Sequence, residues 1–222
     1  MKLDGNNFKE FEKFIKNKDY IFVKPLDATG GDKVEKIKTS DYKVKDLYDK
    51  LLKNNQILLE EVAKQHKDVN KLHPSSVNTI RVVTIRNKYG VTSIVAAVIR
   101  MGTGGRVVDN FHSHGIYAPI DIETGKIIGN AYGRDWKYHK KHPTTGITFI
   151  GYQLPLWEEV KKLAINAHSE IPELGFIGWD ICIGEKKPCL IEVNVYPGYD
   201  LYRREDGYGP LLEFKEAINK QK

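Results

Sequence analysis

Apolar residues in the first third of the chain follow the spacings of short helices and short strands. Helical spacing predicts two helices, at residues 7–17 and 46–53. Short apolar segments bounded by turn residues predict three strands, at residues 20–23, 34–38 and 56–61. A turn-rich segment at residues 26–32 separates the first two strands. Together these elements predict a small α+β subdomain over residues 1–62.

From residue 78 the pattern changes to longer segments that are rich in Val, Ile and Thr. These segments predict strands at residues 79–86, 91–99, 116–120, 126–131, 176–183 and 189–195. Helical periodicity returns at residues 155–169 and 210–219. Because strands and helices do not alternate regularly, the pattern favours an α+β fold with mainly antiparallel sheets. We therefore predict a second, larger α+β subdomain over residues 63–222.

The composition is that of an ordinary folded protein, with 222 residues, 41% hydrophobic and 29% charged. No apolar segment approaches the roughly 20 residues that cross a bilayer, and the N-terminus lacks a secretory signal. We therefore expect a cytoplasmic protein without a membrane span. The net charge is +6, but lysines and acidic residues are interleaved, which argues against a nucleic-acid partner. The cysteine count of 2 excludes a disulfide framework and a four-cysteine zinc site.

The strongest chemical signal is the predicted hairpin around Lys186. If the turn centres on that residue, Asp180 faces Glu192, and strand alternation brings Asn194 to the same face. Two opposed and uncompensated carboxylates require a cation or a proton, and an all-oxygen set favours a hard ion such as Mg²⁺. The alternative is that both carboxylates pair with lysines at a sheet edge.

The same hairpin register sends Cys182 and Cys189 to opposite faces, which predicts that they form no disulfide. Several histidines are close in sequence and suggest a transition-metal site, although loop histidines are the simpler interpretation. These residues are His112, His114, His139 and His142.

A weaker signal is in the N-terminal subdomain, where Lys24 ends a strand just before the turn that contains Thr29, Gly30 and Gly31. Glycines let backbone N–H groups approach phosphate oxygens closely, and a lysine supplies a compact counter-charge. An ordinary loop has the same pattern, and neither a P-loop nor a dinucleotide-binding fingerprint is present. Phosphate binding is therefore one of two interpretations of this segment.

In combination, these segments resemble the ATP-grasp superfamily, and more closely its sugar-transfer-associated branch. The resemblance covers nearly the whole chain from about residue 8. It is carried by motifs in a fixed order: Lys24-Pro25, the glycine-rich turn, Leu58-Leu59-Glu60-Glu61-Val62, Asn78-Thr79-Ile80-Arg81, Ile99-Arg100-Met101-Gly102, Val108-Asp109-Asn110-Phe111, Gly178-Trp179-Asp180 and Glu192-Val193-Asn194. The resemblance implies an ATP-grasp fold that lacks the usual N-terminal domain and the lysine upstream of the glycine-rich loop. His114-Gly115 stands where relatives commonly have Gly-Gly.

The resemblance also implies a role for each candidate residue. The ligands of one or two Mg²⁺ ions, or of Mn²⁺ in their place, would be Asp180, Glu192 and Asn194. The residues that contact ATP would be Lys24, Thr29, Gly30, Gly31, Glu60, Glu61, Val62 and Asp68. The catalytic residues, which stabilise charge as a carboxylate attacks the γ-phosphate, would be Arg81, Arg100 and Asn110. For the two arginines, the alternative is an ordinary cross-strand position on the surface.

The activity that the resemblance implies is an ATP- and Mg²⁺-dependent carboxylate–amine ligase that acts through an acyl phosphate. Its partners would be a small-molecule carboxylate and an amine or sugar-linked acceptor, in the assembly of cell-surface polysaccharides or peptide polymers. Two alternatives stay open. One is a phosphotransferase that uses the same ATP site, and the other is a non-catalytic remnant that binds nucleotide or polysaccharide.

Overall fold

The structure is a computed structural model, and it describes residues 1–26, 34–111, 114–202, 204–205, 207 and 214–215. The chain forms two compact units, residues 1–63 and 64–222. Three parts of the sequence interpretation lie outside the described residues. These are the turn with Thr29, Gly30 and Gly31, the candidate His112, and all but residues 214 and 215 of the helix predicted at 210–219.

The first unit is a three-stranded antiparallel sheet packed against two helices. Its described elements are α1 (Phe8–Ile15), β1 (Tyr20–Lys24), β2 (Glu35–Lys38), α2 (Val44–Lys53) and β3 (Leu58–Glu61). The strand order is β2-β1-β3, so the first strand in sequence is central. The helices bury Phe11, Leu47 and Leu51 against the apolar face of this sheet. This core leaves Lys24 on the opposite face, because side chains alternate along a strand.

The second unit is built on a seven-stranded antiparallel sheet. Its described elements are α3 (Lys67–Leu72), β4 (Thr79–Arg86), β5 (Thr92–Met101), β6 (Ile116–Pro119), β7 (Ala131–Gly133), β8 (Tyr138–His139), α4 (Trp157–Ser169), β9 (Phe176–Ile183) and β10 (Pro188–Asn194). The strand order is β10-β9-β4-β5-β6-β7-β8, which makes β4 and β9 interior strands and β10 an edge strand. Helix α4 covers one face of the sheet, and the other face carries the charged residues described below.

A chain of buried polar groups joins α4 to the sheet beneath it. Trp179 Nε1 donates to Thr84 Oγ1 over 2.8 Å, and Thr84 Oγ1 lies 2.6 Å from His168 Nδ1. The other ring nitrogen of His168 donates to the carbonyl of Leu174 over 2.7 Å. The hydroxyl therefore donates to Nδ1 and accepts from the indole, so that His168 is neutral. Burial lowers the pKa of His168, in agreement with this assignment.

The α+β fold class with antiparallel sheets is confirmed, and strands β4 and β9 have the predicted bounds. One strand prediction is wrong: at residues 126–131 the structure has isolated bridges at Lys126 and Ile127, and β7 begins only at Ala131. The pattern also did not predict α3, whose six residues are too few for clear periodicity. The His66 side chain caps this helix by accepting from Asp68 N over 3.2 Å.

Candidate functional site

The site residues of the second unit lie in register on the sheet face opposite α4. Asp180 of β9 is the direct partner of Arg81 on β4, and on its other side it is the partner of Glu192 on β10. Directly opposed residues project from the same face of a sheet. One row across three strands therefore contains a guanidinium group and two carboxylates, and the pairing of Asp180 with Glu192 agrees with the sequence prediction.

Arg81 and Asp180 form a buried bidentate ion pair. Arg81 Nε donates to one carboxylate oxygen, and Arg81 NH2 donates to the other over 2.9 Å. Asp180 is only 1% exposed and Arg81 5%. Burial opposes the charge on Arg81, but the hydrogen bonds and the charge of Asp180 outweigh it and raise the pKa of the guanidinium. The hydroxyl of Tyr202 contributes to this shift from a neighbouring 3₁₀ turn.

Arg100 extends the ion pair into a network. Its NH1 lies 3.1 Å from Asp180 Oδ2, and its NH2 lies 3.3 Å from Asp109 Oδ1. Its third donor, Nε, reaches Thr79 Oγ1 over 3.1 Å. Thr79 in turn donates its backbone N–H to Asp109 over 2.8 Å and its hydroxyl to the same oxygen. Each carboxylate in this network is thus held by several donors, which fixes the position of both guanidinium groups.

These contacts correct the electrostatic argument made from the sequence. The carboxylates of Asp180 and Glu192 are opposed, but Asp180 is compensated by two guanidinium groups, so repulsion alone does not require a cation. The pairing of Asp180 with lysines is wrong, because its partners are arginines. The surface position proposed as the alternative for Arg81 is also wrong, because that residue is buried.

Two oxygen-bearing side chains beside the network remain available to a ligand. Glu192 is exposed and makes no ion pair or hydrogen bond with any described residue. Asn194 has a buried Nδ2 atom without a hydrogen-bond partner among the described residues. An orphaned buried amide beside a free carboxylate fits a bound polar ligand or ion. No cluster of three His, Cys, Asp or Glu side chains occurs in the described part of the chain, so the candidate protein ligands at this point are two carboxylates and the Asn194 amide.

Asp109 and Thr79 are the network residues that sequence reasoning missed. Both lie within motifs that carry the resemblance, in Asn78-Thr79-Ile80-Arg81 and Val108-Asp109-Asn110-Phe111. Asp109 is 7% exposed, and its position depends on the segment between β5 and β6. The sequence signal for Asp109 was a carboxylate that lies two residues before a Phe, in a segment that is otherwise polar. Its partner, Arg100, could not be assigned without the register of β4 and β5.

The segment that carries Asp109 and Asn110 packs closely against Gly115, a position that has no room for a side chain. A Cβ atom on Gly115 would meet the carbonyl oxygen of Asp109 and would lie 2.8 Å from that of Asn110. The Asn110 carbonyl also accepts from Gly115 N over 3.0 Å. His114, the residue before Gly115, has a φ of 63°. It therefore adopts the left-handed conformation, which is strained for a residue with a side chain.

The prediction that the two cysteines lie on opposite faces is wrong, whereas the structure has no disulfide between them, as predicted. The strand pairing shifts by one residue at Ile191, so that Cys189 is the direct partner of Cys182 and lies on the same face. Both are free thiols, Cys182 buried and Cys189 exposed. The hydrogen bond between the two thiols lowers the pKa of Cys189 to about 6 and, with burial, raises the pKa of Cys182.

The candidates in the first unit form separate ion pairs. Lys24 Nζ lies 2.8 Å from Glu60 Oε1, and Lys18 Nζ lies 3.1 Å from Glu61 Oε1. Glu60 and Glu61 are consecutive in β3 and therefore point to opposite faces of the sheet. Lys24 and Glu60 share the face that is not covered by the helices, and Val62 follows directly after the strand as a half-buried residue.

Asp68 lies in the first turn of α3, in the second unit. Its carboxylate lies 2.8 Å from Lys71 Nζ. The hydrogen bond from Lys71 lowers the pKa of Asp68. The Asp68 side chain therefore has an ion-pair partner within its own helix. The backbone carbonyl of Asp68 accepts a hydrogen bond from the Tyr152 hydroxyl over 2.6 Å.

The histidines do not gather into a metal site within the described residues. His142 is buried: its Nε2–H donates to Gly102 O over 2.9 Å, and its Nδ1 accepts from the N–H groups of Thr144 and Thr145. Burial lowers the pKa of His142 to about 4. His139 pairs with Asp135 over 3.2 Å, and His112 lies outside the described residues. His142 thus has a structural role, in fixing the segment that follows Arg100.

Comparison with known proteins identifies the family of this sequence. Residues 5–203 match the family model described as sugar-transfer associated ATP-grasp. No curated protein matches the sequence. No helix in the described ranges has the length and apolar character needed to traverse a bilayer.

Solved structures match the fold at low sequence identity. The ATP-grasp ligase PsnB, complexed with a minimal precursor, matches with a TM-score of 0.53 and 11% identity, over 98% of this chain and 53% of that one. The ADP complex of PurK, N5-carboxyaminoimidazole ribonucleotide synthetase, gives 0.51 and 11%, over 98% and 45%. The Hydrogenobacter thermophilus biotin carboxylase domain, with MgADP and bicarbonate, gives 0.50 and 15%, over 88% and 35%. The chain thus spans about half the length of these proteins, or less.

Proposed function

Because this chain belongs to the sugar-transfer associated ATP-grasp family, we propose that it is an ATP- and Mg²⁺-dependent carboxylate–amine ligase. In the first step, a carboxylate oxygen attacks the γ-phosphorus of ATP, and ADP leaves. In the second step, an amine attacks the carbonyl carbon of the acyl phosphate, and phosphate leaves. The similarity in fold to the ligase PsnB supports this reaction class.

The observation that carries the proposal is the position of Arg100 between Asp180 and Asp109, next to the buried Arg81. The network holds two permanently charged, planar donors in fixed positions on one sheet face. Fixed guanidinium groups stabilise the negative charge that builds on phosphoryl oxygens, at no cost of reorganisation during the reaction. In this proposal Arg81 and Arg100 stabilise that charge, and Asn110, on the segment after Asp109, donates to a phosphate oxygen.

The proposed ligands of Mg²⁺, or of Mn²⁺ in its place, are Asp180, Glu192 and Asn194. The support is chemical: among the described residues neither the Glu192 carboxylate nor the Asn194 Nδ2 atom has a partner, and oxygen donors suit a hard cation. When bound, the ion neutralises charge on the phosphate oxygens and aligns them. Asp180 shares its oxygens with the arginines, so Glu192 and Asn194 are the residues whose replacement tests this assignment most directly.

The nucleotide contacts that we propose come from Lys24, Glu60, Glu61, Val62 and Asp68, together with Thr29, Gly30 and Gly31, which lie outside the described residues. The paired charges of Lys24 and Glu60 support this, because that pair occupies the sheet face left open by the helices. The substrates would be a small carboxylate and an amine or sugar-linked acceptor, in cell-surface polysaccharide or peptide-polymer assembly within the cytoplasm.

Nucleotide binding is tested first by calorimetry of the full chain with ADP, with and without Mg²⁺. We expect Glu192→Gln to weaken the Mg²⁺-dependent affinity by about tenfold, which is roughly 1.4 kcal/mol. Glu185→Gln is the matched control, because it removes the same charge from the exposed end of the same hairpin. Equal affinities for the two variants, or an affinity that is indifferent to Mg²⁺, would contradict the metal assignment.

Ligation is tested by ADP release from ATP with a panel of carboxylates and amines, followed by mass spectrometry of the products. An amide product with Mg²⁺-dependent ADP release is the expected result. A stable phosphoester would identify a phosphotransferase instead. Nucleotide binding without ADP release for any acid and amine pair would favour the non-catalytic remnant and count against the ligase.

A further inference from the structure

The two cysteines of the chain are direct partners across neighbouring strands, Cys182 on β9 and Cys189 on β10. Opposed Cα atoms in an antiparallel pair are about 4.5 or about 5.5 Å apart, depending on the type of pair. Disulfides span Cα separations of about 4.4–6.8 Å. The Cα separation of either type of pair is therefore within the range that a disulfide spans.

The two thiols differ in access to solvent, although their residues are direct cross-strand partners. Cys182 is fully buried, whereas Cys189 is exposed on the edge strand. Directly opposed side chains in an antiparallel pair project from the same face and are neighbours. An oxidant from solution therefore reaches Cys189 first, and Cys182 is the nearest thiol that can resolve the product. An accessible thiol with an adjacent resolving thiol is the arrangement that favours reversible oxidation.

We propose that Cys182 and Cys189 are a redox modification site that forms a reversible cross-strand disulfide on reaction with a peroxide. The sulfur of Cys189 attacks a peroxide oxygen, the O–O bond breaks, and with hydrogen peroxide a sulfenic acid and water result. The sulfur of Cys182 then attacks the sulfenic sulfur, the S–S bond forms, and a second water leaves. The two thiols lose two electrons and two protons in total, and one hydrogen peroxide becomes two waters.

The register shift at Ile191 is the feature that creates this site. Without that extra residue, Cys182 and Cys189 would be offset by one position and would project from opposite faces of the hairpin. The site is independent of the proposed ligase reaction, since it needs neither nucleotide nor metal. Its test can therefore fail or succeed without affecting the proposed function.

The direct test treats the reduced full-length protein with equimolar hydrogen peroxide. Remaining thiols are then alkylated under denaturing conditions, and the protein is analysed by mass spectrometry. We expect a monomer that has lost two hydrogen atoms, takes up no alkylating agent and recovers both thiols with dithiothreitol. Sulfinic or sulfonic acid at Cys189 with an alkylated Cys182, or disulfide-linked dimers, would overturn the proposal.

A second test separates the effect of the fold from the short sequence distance between the cysteines. The equilibrium constant for disulfide formation is measured in a glutathione redox buffer, for the folded protein and for the protein in urea. We expect a constant at least about tenfold higher in the folded protein, because the fold opposes the thiols before the bond forms. An equal or lower constant would show that the strands do not favour the bond.

The order of reaction is tested with single variants. Cys189→Ser removes the exposed thiol, so we expect Cys182 to stay unmodified by peroxide while the protein remains folded. Cys182→Ser keeps the exposed thiol, so we expect sulfenic acid to accumulate at Cys189, which a dimedone probe traps. Circular dichroism checks both folds, and Cys182→Ala replaces Cys182→Ser if the buried hydroxyl unfolds the protein. Rapid oxidation of Cys182 in folded Cys189→Ser would contradict the assignment.

Discussion

The buried charge of Arg81 depends on a single carboxylate, and this dependence separates Asp180 from Glu192 although the two are cross-strand partners. Asp180 is 1% exposed and holds both arginines, whereas Glu192 is exposed. Removing one member of a buried ion pair leaves the other charge uncompensated. The two carboxylates therefore have different consequences for stability, whatever ligand they share.

We predict that Asp180→Asn lowers the free energy of unfolding by about 3–5 kcal/mol, because Arg81 and Arg100 lose their shared partner in a buried position. Glu192→Gln should change it by no more than about 0.5 kcal/mol, as an exposed substitution does. Urea unfolding followed by tryptophan fluorescence measures both. Similar losses of unfolding free energy in the two variants would mean that the difference in burial between Asp180 and Glu192 does not determine what each contributes to stability.

Protonation of His142 provides a prediction on pH. Its pKa is lowered to about 4 by burial, from an ordinary value of 6.5, and His73 and His139 act in the same direction. Between these values the unfolded chain binds a proton that the folded protein does not, so stability falls as the pH falls from 6.5 to 4. The loss from this group amounts to about 3 kcal/mol.

His142→Gln should remove this part of the pH dependence, because glutamine does not titrate. Urea unfolding at pH 7 and pH 4.5 measures the difference for each protein, and the carboxylates common to both cancel in the comparison. We expect a smaller loss for the variant than for the unmodified protein. The same loss in both would contradict the assignment, because it would show that folding does not lower the pKa of His142.

The sequence predicted only some of the contacts among the site residues. The sequence brings Arg81, Arg100 and Asp180 forward as polar residues on apolar strands, and the structure joins them. It does not indicate that they bind one another, because ion pairing depends on the register between three strands. Asp109 was missed as well. It lies in a segment without regular structure, so the sequence does not indicate that it pairs with Arg100.

At the scale of elements, the register of the β9–β10 hairpin depends on one residue. The sequence correctly predicts that Asp180 pairs with Glu192. This pair lies beyond Ile191, where the register shifts. The sequence predicts opposite faces for the two cysteines, because a bulge has no signature in the apolar segment Cys189-Leu190-Ile191. Hydrophobic patterns therefore gave the bounds of β4 and β9, but they did not predict the register shift between β9 and β10.

The polar link between α4 and the sheet leads to a third prediction. Thr84→Val leaves the Trp179 indole N–H without an acceptor and His168 without its donor, in a fully buried position. An unsatisfied buried polar group costs about 1–3 kcal/mol, and we expect at least that loss. Thr92→Val on β5 is the control, because its half-buried hydroxyl accepts only a 3.4 Å contact from Arg86. Equal losses in urea unfolding would contradict a special role for Thr84.

At the scale of the whole molecule, the order of the motifs identified the fold better than any single motif did. The family match and the structural matches agree on ATP-grasp, and about half the length of the matched proteins is represented here. Substrate identity could not be predicted in this way, because acceptor pockets are formed by side chains on loops that carry no general code.

The two units have separate hydrophobic cores, which leads to a fourth prediction. Leu59 belongs to a core made only of residues from the first unit, and all three tryptophans, 136, 157 and 179, belong to the second. Leu59→Ala should cost about 2–5 kcal/mol in the first unit. We expect the urea transition seen by circular dichroism to move further than that seen by tryptophan fluorescence. An equal shift of both would indicate one cooperative unit.

The turn at Gly115 has a consequence for how this protein tolerates change. Gly115 contributes no functional group, yet its missing side chain is the space into which the Asp109 and Asn110 carbonyls fit. Any larger residue there would push away the segment that anchors Arg100, and so loosen a guanidinium on the neighbouring strand. In a survey of random variants, substitutions of Gly115 would therefore be as damaging as substitutions of the charged network residues, which it does not contact.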